Sequence, residues 1–140
     1  MTSPSPILSV LLRHSLPGGT AHLDWMIARE PSPPPDERCL ITFRLALEDD
    51  PMLIGSCEAI RLPDHRARYL EYEGPISGDR GRVERVWSSE VLSLREDQDG
   101  LAVHLLGRDG PRSGCRFEVS RCGDTEVESD PWAIRRLRRP

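Results

Sequence analysis

An all-β fold, either a compact antiparallel β-barrel or a sandwich with few or no helices, is predicted by the 140-residue sequence. Short apolar or alternating stretches recur along the chain, and turn signals rich in Gly, Pro and Asp separate them. No long stretch repeats apolar residues with the 3.6-residue period of a helix. The length suits one domain, so we expect residues 1–140 to form a single domain, with the Ser/Pro-rich residues 1–6 disordered.

The strongest turn signal lies near the N-terminus, where Pro17-Gly18-Gly19 separates two apolar stretches. We expect a β-hairpin here, with strands Ile7–Arg13 and Ala21–Ala28. The next segment, Glu30–Arg38, is expected to be a loop, because its four prolines cannot donate the hydrogen bonds of a sheet. Cys39–Leu45 is rich in β-branched and aromatic residues and is expected to be a strand.

The rest of the chain is expected to form shorter or less regular strands. The expected strands are Met52–Ile60, Arg82–Leu94, Leu101–Leu106, Arg116–Arg121 and Trp132–Leu137. The second of these is long or bulged, because Val83 and Val86 break its alternation, and the last could instead be a short helix. The expected turns and loops between the strands are Glu48–Pro51, Leu62–Arg66, Gly74–Gly81, Asp97–Gly100 and Gly107–Pro111.

Composition excludes several classes of protein. The net charge is −4, which argues against a uniformly basic nucleic-acid-binding protein, although all 19 basic residues are arginine, the residue that binds phosphate with two parallel hydrogen bonds. The four cysteines form no Cys-x-x-Cys pair, which argues against a cysteine zinc site. No membrane span or export signal is apparent, so we expect a soluble, cytoplasmic protein with no membrane partner.

The N-terminal hairpin brings three metal-binding side chains towards one another. His22 and Asp24 are two residues apart, so they point to the same face of a strand, and the turn folds His14 back beside them. Two imidazoles and a carboxylate form a recognised ligand set for a divalent metal. Isolated histidines are more often structural than metal-binding, so an unrelated β-domain with structural histidines is an alternative.

A second group of reactive side chains lies around the expected loop Leu62–Arg66. His65 stands just after Pro63-Asp64, and Tyr69 follows His65 by four residues. Loops held by a rigid scaffold commonly carry reactive side chains. His65 and Tyr69 are therefore candidate catalytic residues.

Several short motifs follow one another in a specific order. They are His22-Leu-Asp24-Trp, Thr42-Phe-Arg-Leu, Pro63-Asp-His65, Tyr69–Gly74, Arg116-Phe-Glu-Val and Trp132–Arg136. Their order and spacing resemble the phosphoesterase domain of bacterial DNA ligase D. That family has an early His, a strand with His-Tyr-Asp-Phe-Arg, a later Glu-Asp-His with a Tyr four residues on, and Phe-Glu-Gly before a Gly-rich loop.

The resemblance implies a β-barrel-like fold and a manganese-dependent phosphoesterase that trims the 3′ ends of nucleic acid during DNA repair. By position, His14, His22 and Asp24 match the metal ligands of the family. His65 matches the His near the scissile phosphate, and Tyr69 matches the Tyr beside it. The resemblance also suggests a DNA ligase or polymerase as a partner in trans.

The chain departs from the family at two positions that bind phosphate there. Met26 and Cys57 stand where the family has arginines, and we expect Arg44, Arg61 or Arg66 to replace them as phosphate-binding residues. Loss of one charge-assisted arginine contact costs about 1.5–3 kcal/mol. A catalytically degenerate relative, acting as a binding or assembly module, is therefore the alternative to an enzyme.

Overall fold

The computed structural model describes residues 5–106, 114–122 and 131–137. These residues form nine strands, one 3-10 helix at Ala67–Leu70 and no α-helix. The strands are β1 (Leu8–Ser15), β2 (Ala21–Ile27), β3 (Arg38–Leu45), β4 (Ser56–Arg66), β5 (Gly74–Pro75), β6 (Arg82–Glu96), β7 (Gly100–Leu105), β8 (Cys115–Arg121) and β9 (Pro131–Leu137). No helix in these three ranges is long and apolar enough to cross a membrane.

Eight of the strands close into an antiparallel ring. The order is β1-β2-β3-β4-β9-β8-β7-β6, and β6 pairs again with β1 to close the barrel, while the short β5 adds to one end of β6. Closure removes the exposed strand edges that would otherwise invite pairing with other chains. The expected all-β fold is confirmed.

The main core fills the inside of this barrel. Every second side chain of each strand points inward, and the largest of them are aromatic. Trp25 packs against Phe117 with ring centroids 5.2 Å apart, and Phe43 packs against Trp132 with centroids 5.6 Å apart. All four are buried, so the barrel interior is a packed core. A functional site is therefore expected on the outer face of the barrel.

A second, smaller core lies on the outer face of β1, β2 and β3. The 3-10 helix covers this face with Leu70, and Val10, Leu12, Met26 and Leu40 are buried beneath it. Two successive residues of a strand are thus buried on opposite sides of the sheet, which explains why β1 and β2 are almost continuously apolar.

Several expected elements differ from those observed. The expected strand Met52–Ile60 and loop Leu62–Arg66 are wrong, because β4 begins at Ser56 and continues to Arg66. Pro63 is accommodated in this strand because the pairing of β3 with β4 shifts at that point, so the missing N–H leaves no ladder hydrogen bond unmade.

Other expectations are confirmed or lie beyond the described ranges. The irregularity expected near Val86 is confirmed, because Leu11 pairs with Trp87 and Leu12 with Arg85, which leaves one extra residue on β6. The C-terminal segment forms a strand and not a helix. The expected turn Gly107–Pro111 and residues 1–4 lie outside the described part of the chain.

The loop before β6 is held against the end of β1 by a close backbone approach at Gly81. A Cβ atom on this residue would lie 1.9 Å from the carbonyl oxygen of Ser15, and its φ angle is +90°. Only glycine combines this conformation with the absence of a side chain. Gly81 therefore fixes the position of its neighbour, Arg80, relative to β1.

We expect Gly81→Ala to lower the free energy of unfolding by about 2 kcal/mol or more, because the new methyl group meets backbone and the conformation is strained. Urea denaturation measures this loss. Gly18→Ala is the matched control, since a Cβ at Gly18 meets nothing within 4 Å, and its effect should stay within about 0.5 kcal/mol. Equal stabilities for the two variants would contradict the interpretation.

Candidate metal centre and adjoining cavity

Strand register brings His14, His22 and Asp24 together on the outer face of the barrel. His14 and His22 are direct cross-strand partners in the β1–β2 pair, and Asp24 follows on the same face of β2. The two imidazole rings meet edge to face with centroids 4.8 Å apart. One ligand atom from each residue lies within 4.8 Å of the others. The three side chains that the hairpin pattern predicted to meet do meet.

The buried polar atoms of this group fit a cation. Asp24 Oδ1 lies 3.3 Å from His22 Nε2, yet both atoms are buried and neither has a hydrogen-bond partner among the described residues. Leaving a buried polar atom unpaired costs about 1–3 kcal/mol. A divalent cation held by His14, His22 and Asp24 would satisfy both atoms at once.

The orientation of His14 also suits a metal ligand. Its Nε2–H donates to the backbone carbonyl of Arg80 at 2.8 Å, and this fixes the tautomer so that Nδ1 carries the lone pair. Nδ1 lies 3.6 Å from Asp24 Oδ2. A backbone acceptor on the far nitrogen is the usual support for a metal-binding histidine.

The three residues perturb one another electrostatically. The Asp24 carboxylate raises the pKa of the neighbouring His14, whereas burial of His14 lowers its pKa by a smaller amount. Burial alone would raise the pKa of Asp24, but the two imidazoles lower it to about 2. Asp24 is therefore a carboxylate throughout the neutral range, and the site carries a permanent buried negative charge.

A cavity of about 150 Å³ opens beside this group. It lies between the outer face of the sheet and the segment that contains the 3-10 helix and β5. The residues that line it are His14, Asp24, Met26, Arg38, His65, Arg66, Tyr69, Ile76, Arg80 and Val83. Both candidate catalytic residues, His65 and Tyr69, thus share one cavity with two of the candidate metal ligands.

Two irregularities in the pairing of β3 with β4 turn His65 and Arg66 towards the cavity. Thr42 pairs with Leu62 and Leu40 with His65, so β4 has one extra residue here; Arg38 then pairs with Arg66, which leaves an extra residue on β3. Strict alternation would place His65 and Arg66 on opposite faces. The irregularities allow both to line the same cavity.

His65 presents one ring nitrogen for chemistry. Its Nδ1–H donates to the carbonyl of Pro63 at 2.8 Å, so Nε2 remains available to donate or accept a proton. The ring centroid lies 6.2 Å from that of Tyr69. The tyrosine follows on the 3-10 helix, which holds its ring near the imidazole.

The three arginines expected to bind phosphate lie in different places. Arg66 lines the cavity. Arg44 is the cross-strand partner of Asp24, and its charge lowers the pKa of His14, but it does not line the cavity. Arg61 lies elsewhere: it pairs with Glu96, and its guanidinium stacks over Trp132 at 5.2 Å. Of the three arginines expected to bind phosphate, only Arg66 therefore lines the cavity.

Two further cavity arginines, Arg38 and Arg80, were not identified from the sequence. Arg38 stands at the start of β3, where the pattern indicated the end of a proline-rich loop, and Arg80 lies in the glycine-containing loop before β6. Both reach the cavity through contacts between distant parts of the chain. No local signal distinguishes them from the other arginines.

The two departures from the ligase D pattern differ in position. Met26 lines the cavity, so the apolar side chain does stand beside the candidate site. Cys57 instead packs against the main core, and burial raises the pKa of its thiol to about 11. Of these two positions, only Met26 therefore lies at the cavity wall.

Comparison with known proteins adds nothing to this geometry. No protein-family sequence model matches the chain, and no curated protein sequence matches it significantly. The assignment of function therefore depends on the side chains that the fold brings together.

In metal-free protein, we expect Asp24 to stabilise the fold most between the ordinary pKa values of 3.8 for its own carboxyl and 6.5 for histidine. As the pH rises through the raised pKa of His14, the charge pair is lost. As the pH falls towards 2, protonation of Asp24 removes about 2 kcal/mol. Unfolding free energies of the wild type and Asp24→Asn, measured against pH with EDTA present, test this.

The difference between those two proteins should be largest inside that pH window and smaller on both sides. Parallel curves across the whole range would show that Asp24 is not coupled to the histidines.

Proposed function

We propose that this protein is a metal-dependent phosphoesterase, with His14, His22 and Asp24 as ligands of a divalent ion such as manganese. The observation that carries the proposal is that two members of this clustered ligand set, His14 and Asp24, line one cavity together with His65 and Tyr69. These residues come from three separate segments of the chain. The buried His22 Nε2 and Asp24 Oδ1 atoms, which face one another without a hydrogen-bond partner among the described residues, also favour a cation at this position.

The cavity residues have roles suited to phosphate ester hydrolysis. A bound divalent ion would polarise a phosphoryl oxygen and lower the pKa of water. Protonated His65 would give its Nε2 proton to the leaving oxygen as the ester P–O bond breaks and a water oxygen bonds to phosphorus. Tyr69, beside His65, and Arg66 would orient the phosphate.

Nucleic-acid 3′ ends are the proposed substrate, and end processing in DNA repair is the proposed role. This part of the proposal comes from the resemblance to the phosphoesterase domain of DNA ligase D. A ligase or polymerase that seals or extends the trimmed end would be the partner.

A second candidate function is a catalytically degenerate module that binds metal and nucleic-acid ends without turnover. The observation that favours it is Met26, an apolar side chain on the cavity wall where the resembling family has an arginine. Metal binding alone does not separate the two candidates, so binding and turnover need separate tests.

We expect the wild type to bind manganese with one ion per chain, and His22→Ala to bind it at least a hundredfold more weakly, because one of three protein ligands is lost. Isothermal titration calorimetry at pH 8 measures both affinities. His104→Ala is the matched control, since His104 lies on β7, outside the cavity. Equal loss of affinity in the two variants would contradict the ligand assignment.

We expect manganese-dependent release of phosphate from an oligonucleotide with a 3′-phosphate, and a fall in kcat of about 10²–10⁴-fold in His65→Ala. Manganese affinity of this variant should stay at the wild-type value, because His65 is not a proposed ligand. A wild type that binds manganese and the oligonucleotide but releases no phosphate would support the degenerate module over the enzyme. A His65→Ala variant with wild-type kcat would remove that residue from the mechanism.

A further inference from the structure

Three arginines, Arg38, Arg66 and Arg80, line the cavity from three parts of the fold. Arg38 starts β3, Arg66 ends β4, and Arg80 lies in the loop before β6. Arg38 and Arg66 are direct cross-strand partners. Like charges placed opposite one another in a sheet are destabilising, so this pair costs stability unless something negative lies between the guanidinium groups.

No acidic side chain of the described residues neutralises these arginines. None of the three lies within 4 Å of a carboxylate in the described ranges, whereas arginines outside the cavity, such as Arg29 and Arg68, are paired with acids. Arg80 donates only to the backbone carbonyl and hydroxyl of Ser77. The cavity arginines are therefore available for a ligand.

The charge balance of the cavity favours a ligand with two negative charges. Asp24 is the one acid among the described lining residues, against three arginines, so the cavity has an excess of two positive charges with neutral histidines. A terminal phosphate monoester carries close to two negative charges above its second pKa of about 6. An internal phosphodiester carries only one.

The cavity, of about 150 Å³, is large enough to admit a phosphate group, since a single water needs only about 10–15 Å³ of such volume. The rest of a substrate would remain outside the cavity, at its opening.

We propose that Arg38, Arg66 and Arg80 form an anion site that binds a terminal phosphate dianion in preference to a phosphodiester. Met26 stands where the resembling family has a phosphate-binding arginine. In this arrangement Arg38 on β3 and Arg80 in the loop before β6 supply that positive charge instead. The assignment of that phosphate to a substrate rests on the proposed function. The anion site itself needs no metal, which allows the two to be tested separately.

The test is a pair of calorimetric titrations of metal-free protein in EDTA at pH 8, one with inorganic phosphate and one with dimethyl phosphate. We expect phosphate to bind, dimethyl phosphate to bind at least tenfold more weakly, and Arg38→Gln to weaken phosphate binding about tenfold or more. Arg66→Gln carries the same expectation if the first variant does not fold. Arg135→Gln is the control, since Arg135 on β9 is exposed and paired with Glu118; it should bind phosphate like the wild type.

Three results would overturn the anion site: no phosphate binding, wild-type binding by Arg38→Gln, or an equal loss in Arg135→Gln. Equal affinity for dimethyl phosphate would overturn the preference for a dianion. Arginine-dependent phosphate binding without manganese-dependent hydrolysis would leave the anion site standing and remove the enzyme. Manganese-dependent hydrolysis by Arg38→Gln with the wild-type KM would instead support the enzyme and contradict the anion site.

Discussion

The register of β1 against β2 is the constraint on which the candidate site depends. A shift of one residue would move every side chain of a strand to the opposite face, and His14 would no longer stand beside His22. A buried hydrogen-bond chain fixes this register: Trp25 Nε1–H donates to Ser9 Oγ, and Ser9 Oγ–H donates to the Met26 carbonyl, each at 2.8 Å. Both side chains are fully buried, so a slip would leave polar groups unpaired in the core.

The second constraint is the cover on the outer face of the sheet. An open barrel face would expose His14, His22 and Asp24 to water and leave no enclosed space. The 3-10 helix buries the apolar part of this face through Leu70, and the loop that ends at Gly81 brings the Arg80 carbonyl to His14. The same cover that completes a small core therefore forms a cavity lined by polar and charged side chains beside the candidate metal ligands.

Sequence reasoning predicted what short-range spacing controls. The turn at Pro17-Gly18-Gly19 and the two-residue spacing of His22 and Asp24 determine the hairpin and its metal-binding face, because alternation within a strand is local. The expected end of β4 was wrong for the opposite reason. The continuation of β4 to Arg66 depends on irregular pairing with β3, which no residue of β4 except Pro63 signals.

The same distinction explains the cavity arginines. Arg61 pairs with Phe43 across β3 and β4, so it shares the inward face and stacks on core aromatics. Arg38 and Arg80 reach the cavity because strand pairing and a glycine contact bring distant segments together. Among 19 arginines, composition alone could not identify the three that line one cavity.

Whether one cation binds between the two strands of the hairpin is the central claim, and anomalous diffraction at the manganese absorption edge tests it most directly. Crystals grown with manganese should show one strong peak within bonding distance of His14 Nδ1, His22 Nε2 and an Asp24 carboxylate oxygen. A peak coordinated by other residues, or no peak at a manganese concentration that saturates the protein in solution, would contradict the account.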